Sequence, residues 1–207
     1  MASDITLGLM ELSVVREMTN IGLGHATTAL SDMTGRAFNM SVPDVESLSL
    51  EEIPALLGGS ESFSAGIYMP IEGDVSGHIA FLTPWSSAQS LWKMLLGTYP
   101  ETPEEIGEMD ASAILEIGNI INSSFLNAIS DMTNLSMHAT PPYFAVEMTA
   151  AILDSIVVEA SSKDHVALAI RTVINDYEGS MEGFFVYIPS LGGLRQLFST
   201  LGIAEAA

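Results

Sequence analysis

The stretch Ser13-Val14-Val15-Arg16-Glu17-Met18-Thr19-Asn20, read on to Pro43, decides how this chain folds, because its marked positions return later in the sequence. Ser13, Glu17, Asn20 and Pro43 reappear as Ser112, Glu116, Asn119 and Pro142, each displaced by 99 residues. The same displacement carries Ala29-Leu30-Ser31-Asp32-Met33-Thr34 onto Ala128-Ile129-Ser130-Asp131-Met132-Thr133. Only a Leu/Ile exchange separates the two hexapeptides. Self-similarity at one fixed offset reads as an internal duplication.

The periodicity predicts a helix from about Leu9 to Thr34. Val15, Met18, Gly22, Ala26, Ala29 and Met33 recur at steps of three and four, which makes one apolar face. Gly35 supplies a left-handed end, and Asn134 takes its place in the second copy, where a helix runs from about Asp110 to Thr133. The opposite face is the informative one. At 100° per residue, Ser13, Glu17, Asn20, Gly24 and Ser31 fall within about 40° to 60° of one another. Ser112, Glu116, Asn119, Ser123 and Ser130 do the same in the second copy. Each helix thus presents one acid and one carboxamide a turn apart, on a stripe otherwise made of small residues. One such pair on a solvated helix is commonplace, whereas two at one spacing, each with a proline at one distance, point to a site. Small residues there let another protein's backbone come close.

The rest of the chain reads as strands and shorter helices. A strand over 37–45 carries Pro43 at an edge or bulge. Glu51 to Leu57 suggests a short helix. Phe63–Ile71 and Val75–Thr83 form a hairpin across Glu72-Gly73-Asp74. Pro84 opens a helix that Gly97 closes. After the acidic, proline-containing link 98–109, strands are predicted near 136–142, 150–160, 164–174 and 181–188. A last helix runs from Pro189 to Gly202. Pro84 and Gly97 map onto Pro189 and Gly202 at an offset of 105, so six residues enter the second copy within the sheet region. The expected architecture is α+β: mostly antiparallel sheet with long helices packed on it, duplicated and pseudo-two-fold symmetric. Residues 1–207 are expected to make a single domain of two repeats, about 9–97 and 110–202.

Composition narrows the function. The net charge is −20, with 26 acidic against six basic side chains. Such a surface repels phosphate backbones and anionic lipid, so neither nucleic acid nor a membrane is an expected partner. The absence of cysteine excludes thiolate metal sites and cysteine nucleophiles and fits a reducing cytoplasm. No apolar run reaches the ~18 residues of a membrane span, and no secretory leader is visible. His25, His78, His138 and His165 lack the spacing of a metal site.

The pattern Ser-(3)-Glu-(2)-Asn-(22)-Pro, present twice, resembles the signature of the CheC/CheX/FliY family of CheY-P phosphatases. The surrounding words Asn20-Ile21-Gly22-Leu23-Gly24-His25-Ala26 and Gly118-Asn119-Ile120 are similar to it as well, although Thr19 stands where the family commonly has glycine. Two complete motifs in one chain are the CheC-type arrangement. The resemblance implies hydrolysis of the aspartyl phosphate on a phosphorylated CheY-type receiver. Glu17, Asn20, Glu116 and Asn119 would be catalytic, with Ser13, Pro43, Ser112 and Pro142 shaping the two sites. It implies no cofactor of the chain's own, with Mg²⁺ held by the receiver, and a CheD-type deamidase as a second partner. A cytoplasmic monomer is expected. The alternative is a non-catalytic adaptor for the receiver, CheD or both, and less directly a component of the flagellar switch.

Overall fold

A computed structural model describes residues 7–160 and 167–203. In chain order these form α1 (Leu9–Thr34), β1 (Asn39–Leu48), α2 (Ile53–Leu56), β2 (Phe63–Gly73), β3 (Gly77–Pro84) and α3 (Trp85–Leu96). They continue with α4 (Glu108–Thr133), β4 (Met137–Ala139), β5 (Tyr143–Met148), α5 (Thr149–Ala160), β6 (Ala167–Asn175), β7 (Ser180–Pro189) and α6 (Leu191–Thr200). A 3₁₀ turn at Pro103–Glu105 lies in the link. No helix is long and apolar enough to cross a membrane among the described residues.

The two long helices start and stop by the same chemistry. The Gly8 N–H donates to the Glu11 carboxylate, and the Gly107 N–H donates to Asp110 Oδ2 at 2.9 Å. An acid three residues into the helix thereby satisfies a backbone donor just before it, in the first-turn position that the helix dipole favours. At the far ends Gly35 (φ 67°) and Asn134 (φ 55°) adopt the left-handed conformation, and each N–H returns to a serine carbonyl, Ser31 or Ser130. Asn134 is the sole non-glycine residue at positive φ among the described residues. An asparagine tolerates that region better than other side chains do.

All seven strands make one antiparallel sheet in the order β1-β6-β7-β3-β2-β4, with β5 continuing beside β2. The two halves exchange strands. β1 pairs with the β6–β7 hairpin of the second half, while β4 and β5 pair with the β2–β3 hairpin of the first. A two-stranded hairpin leaves unpaired N–H and C=O groups along its edge. Each half covers that edge with the strand that follows the other half's long helix.

Side chains alternate across the sheet. Ile79, Phe81, Phe185 and Tyr187 join one core with α1, α3, α4 and α6, while Ala80, Leu82, Phe184 and Val186 join a second with α2 and α5. Phe125 of α4 sets its ring edge against Phe185 and Tyr187, at 4.7 and 5.7 Å between centroids. The long helices lie against one another at Gly22, where a Cβ would stand 2.8 Å from Phe125 Cα. Gly118 is held close by the Ile67 side chain in the same way. Of the face expected to be apolar in α1, Val15, Met18, Gly22 and Ala26 are buried, while Ala29 and Met33 are exposed; Glu11, Thr19, Leu23 and Leu30 are buried as well.

Three other expectations change. Residues 150–160 form a helix, α5, and not a strand. The turn of the first hairpin falls after Gly73, at residues 74–76, with Gly73 itself at φ 120°. Pro84 and Pro189 close strands, and the helices begin one and two residues later. The predicted strand over 164–174 is β6 from Ala167, its start lying outside the described residues.

The sheet register shows where the six extra residues enter. Met40 pairs with Ile174, and its counterpart Ala139 pairs with Ile71, so Ile71 corresponds to Ile174 at an offset of 103 (174 − 71). Four of the six residues (103 − 99) therefore precede β6, in the segment that lengthens the four-residue α2 into the twelve-residue α5. Those four do not enter the sheet itself, whereas the other two (105 − 103) fall between Ile174 and Pro189, within the β6–β7 hairpin, where the sheet region was expected to take them.

Gly22→Ala should force α1 off the α4 backbone, because the atom it would meet is main chain and cannot swing aside. We expect a loss of about 1–3 kcal/mol, read as a lower urea midpoint with an unchanged m-value.

Candidate functional site

The residues singled out by the duplication lie on the sides of α1 and α4 turned away from the core. Ser13, Glu17 and Asn20 are exposed on α1. On α4, Ser112 and Glu116 are exposed and Asn119 is half-buried. Neither carboxamide is sealed in the interior. Thr19 is 1% exposed and its hydroxyl donates to the Val15 carbonyl at 2.7 Å. It faces the core, as its counterpart Gly118 does, so the Thr/Gly difference falls outside the exposed stripe.

Among the described residues no ion pair involves the carboxylate of Glu17 or Glu116. Arg36 pairs instead with Asp176 and Glu178, and Arg171 with Glu182. Both acids therefore remain available to a cation brought by another molecule. The two carboxamides differ in their setting. Asn119 Oδ1 accepts from Ser123 Oγ at 3.4 Å. The residue in that place on α1 is Gly24, around which a Cβ would find open space. A serine one turn on thus biases the orientation of the second carboxamide and not the first.

Pro43 and Pro142 occupy the same kind of irregularity in the strand that follows each helix. In β1 the register shifts between Ser41 and Asp44, so Val42 and Pro43 stand opposite Thr172 alone. Between β4 and β5, residues 140–142 stand opposite Met69 and Pro70. Each is a bulge of one extra residue. Proline lacks the N–H that a ladder needs and is confined to such places in a sheet. The bulges bend the edge strands on both sides of the molecule. Pro43 is exposed and Pro142 half-buried.

A further residue belongs to this region. Arg16 Nη2 donates to the Val42 carbonyl at 3.3 Å, tying α1 to the first bulge. The duplication contains a signal for it, since Arg16 is one of six basic residues in the chain and its counterpart is Leu115. Its partner is not readable from the sequence, because the bond spans 26 positions and depends on how β1 returns along α1.

Among the described residues no group of three or more His, Asp or Glu side chains is placed to hold a metal ion. A cavity of about 580 Å³ lies between β2, β5 and α5, lined by Tyr68, Tyr143, Glu147 and Ile152 among others. Tyr68 and Ile152 belong to the second core, across the sheet from α1 and α4. None of the motif residues lines it. What the motif offers is two open faces, suited to another macromolecule's surface more than to a small ligand.

The chain and its fold have parallels among known proteins. The model of the CheC-like family matches residues 10–47 and again 109–145, two segments whose starts differ by the same 99 residues. The chain is 30% identical over 196 residues to the CheY-P phosphatase CheC of Bacillus subtilis (strain 168), covering 93% of this chain and 94% of that one. It belongs to the CheC-like family. The fold is also that of Thermotoga maritima FliY, with a TM-score of 0.76 at 16% identity over 95% of this chain and 98% of the other. FliM from H. pylori, crystallised in a complex with FliG, superposes at 0.68 with 13% identity over 91% and 100%. A CheX–CheY–BeF3–Mg²⁺ complex from Borrelia burgdorferi gives 0.50 at 20% identity over 84% and 98%.

Because these side chains make few bonds within the chain, Glu17→Ala, Asn20→Ala, Glu116→Ala and Asn119→Ala should each leave stability within about 0.5 kcal/mol, measured by urea unfolding. A larger loss at any position would mean that its side chain serves the fold.

Proposed function

We propose that this chain is a phosphatase that hydrolyses the aspartyl phosphate of a phosphorylated CheY-type receiver, with one site on α1 and another on α4. The observation that carries this reading is the doubled, solvent-accessible Glu/Asn pair, in a chain of the CheC-like family. A CheC relative named as a CheY-P phosphatase and a CheX neighbour crystallised with CheY support the choice of substrate.

The chemistry asked of the chain is limited. An aspartyl phosphate is an acyl phosphate, and the receiver itself brings Mg²⁺ and a lysine to the phosphoryl group. What it lacks is a water held in line for attack. Asn20 or Asn119 supplies that, because a carboxamide accepts a hydrogen bond from the water through Oδ1 and donates one to it through Nδ2. The water's oxygen bonds to phosphorus as the bond to the aspartyl oxygen breaks, giving free aspartate and inorganic phosphate. Holding one water is worth ~10²-fold for ~2.7 kcal/mol. Glu17 and Glu116, one turn away and without an ion pair among the described residues, bind the receiver's lysine and dock the helix. Ser13, Ser112, Pro43 and Pro142 shape the surface. No cofactor of the chain's own is required, and the chain acts in the cytoplasm with its substrate. On the family resemblance alone, a CheD-type deamidase is a second partner.

A second reading is favoured by the fold shared with FliM, a protein crystallised in complexes: the chain binds the receiver, CheD or both as an adaptor, without turnover. Phosphate release separates the two. Asn20→Ala combined with Asn119→Ala should cut accelerated dephosphorylation about 100-fold while binding of a receiver carrying a stable phosphoryl analogue stays within about threefold. An unchanged rate in that variant refutes the water-positioning role, and wild-type binding without any acceleration favours the adaptor. Separately, Glu17→Lys with Glu116→Lys should weaken receiver binding at least about tenfold; unaltered affinity in a titration contradicts the lysine pairing.

A further inference from the structure

The two bulges are built differently. Pro142 follows Pro141, so two successive residues have φ locked near −65° and neither has an N–H. At the first bulge the residue before Pro43 is Val42, whose φ no ring fixes. It is here that the Arg16 guanidinium reaches across from α1 and donates to the Val42 carbonyl at 3.3 Å. At the place of Arg16 the second copy has Leu115, half-buried and unable to donate. So the copy with two prolines has no arginine, and the copy with one proline has it. Arg16 also immediately precedes Glu17 and lies one helical turn before Asn20, where i and i+4 side chains are neighbours. The bond therefore joins the turn that bears both motif residues to the bulge that bears the motif proline.

We infer that Arg16 is a positioning residue of the first site: it fixes the Pro43 bulge against the Glu17–Asn20 turn, as Pro141 does by covalent restraint at the second. This rests on the phosphatase reading, in which the bulge proline and the helix face together receive the phosphorylated receiver. Arg16 touches neither water nor phosphoryl group. Its effect is on the precision with which the first site meets its substrate, where small displacements are costly. The two sites thus depend on different residues for the same alignment.

Single-site forms test this. Asn119→Ala leaves the first site and Asn20→Ala leaves the second, and Arg16→Leu is added to each. With a phosphorylated CheY-type receiver as substrate, kcat should fall about tenfold in the Asn119→Ala form and stay unchanged in the Asn20→Ala form. Arg16→Lys, which keeps a donor, should restore kcat to within about threefold of the Asn119→Ala value, and Val42→Pro should rescue Arg16→Leu. Should Val42→Pro lower the unfolding midpoint, the Arg16→Lys arm decides alone. Equal losses in both forms would make Arg16 a general stabiliser and overturn the inference, as would no loss in either, or an inactive Asn119→Ala form. No phosphate release from either single-site form or from the wild type overturns the phosphatase reading and this role with it. Release that ignores Arg16 overturns the role alone.

Discussion

The exchange of strands between the two halves governs everything else in this molecule. β1 leaves α1 and completes the hairpin of the second half, and β4 and β5 leave α4 and complete the hairpin of the first. Neither hairpin has its outer edge covered by its own half. The backbone groups along β6 and β2 need the exchange, since an unpaired edge is open to any other chain. With each edge strand spoken for, α1 and α4 are drawn onto the same face of the sheet. There they meet along the line where Gly22 admits the Phe125 backbone. The faces they turn outward are then related as the halves are, and the doubled motif stands on both.

The sequence made the long helices legible because their signals were redundant. Period and left-handed ends agreed, and the duplication repeated both. The stripe of Ser13, Glu17 and Asn20 was legible for the same reason, with Asn119 alone more enclosed than its twin. α5 was not. Ala150-Ala151-Ile152-Leu153 followed by Ile156-Val157-Val158 is an apolar, partly β-branched run, and such a run fits a buried strand as well as a helix. What settles it is tertiary: the sheet is already complete without it, and Ile152, Leu153 and Ile156 pack against the second core. The corresponding α2 is four residues long, so the duplication gave no warning of a longer helix.

The buried polar groups show how far the halves have diverged. Asn122 is fully buried, with Nδ2 donating to Met69 Sδ at 3.0 Å and Oδ1 without a partner among the described residues. Its counterpart in α1 is Leu23, equally inward. Tyr187 buries its hydroxyl without a partner too, and desolvation pushes its pKa well above the usual tyrosine range. Both belong to the second half. An unsatisfied buried polar atom costs about 1–3 kcal/mol. The first half is thus the more economical core, while the second holds the more restrained motif, with Ser123 beside Asn119 and consecutive prolines at the bulge.

That contrast bears on how a duplicated site ages. A single copy must keep every supporting residue, because losing one loses the function. Two copies on one sheet can reach the same alignment by different means, so long as the outward groups stay. Here the outward groups Ser, Glu, Asn and Pro are identical in both copies, while the residues that brace them differ: Gly24 against Ser123, Arg16 against Leu115, Val42 against Pro141. Core requirements do not explain that division, since a core would favour identity at buried positions such as Leu23 and Asn122. Identity is concentrated instead where side chains meet solvent, which is what recognition of one common partner surface by both faces would demand.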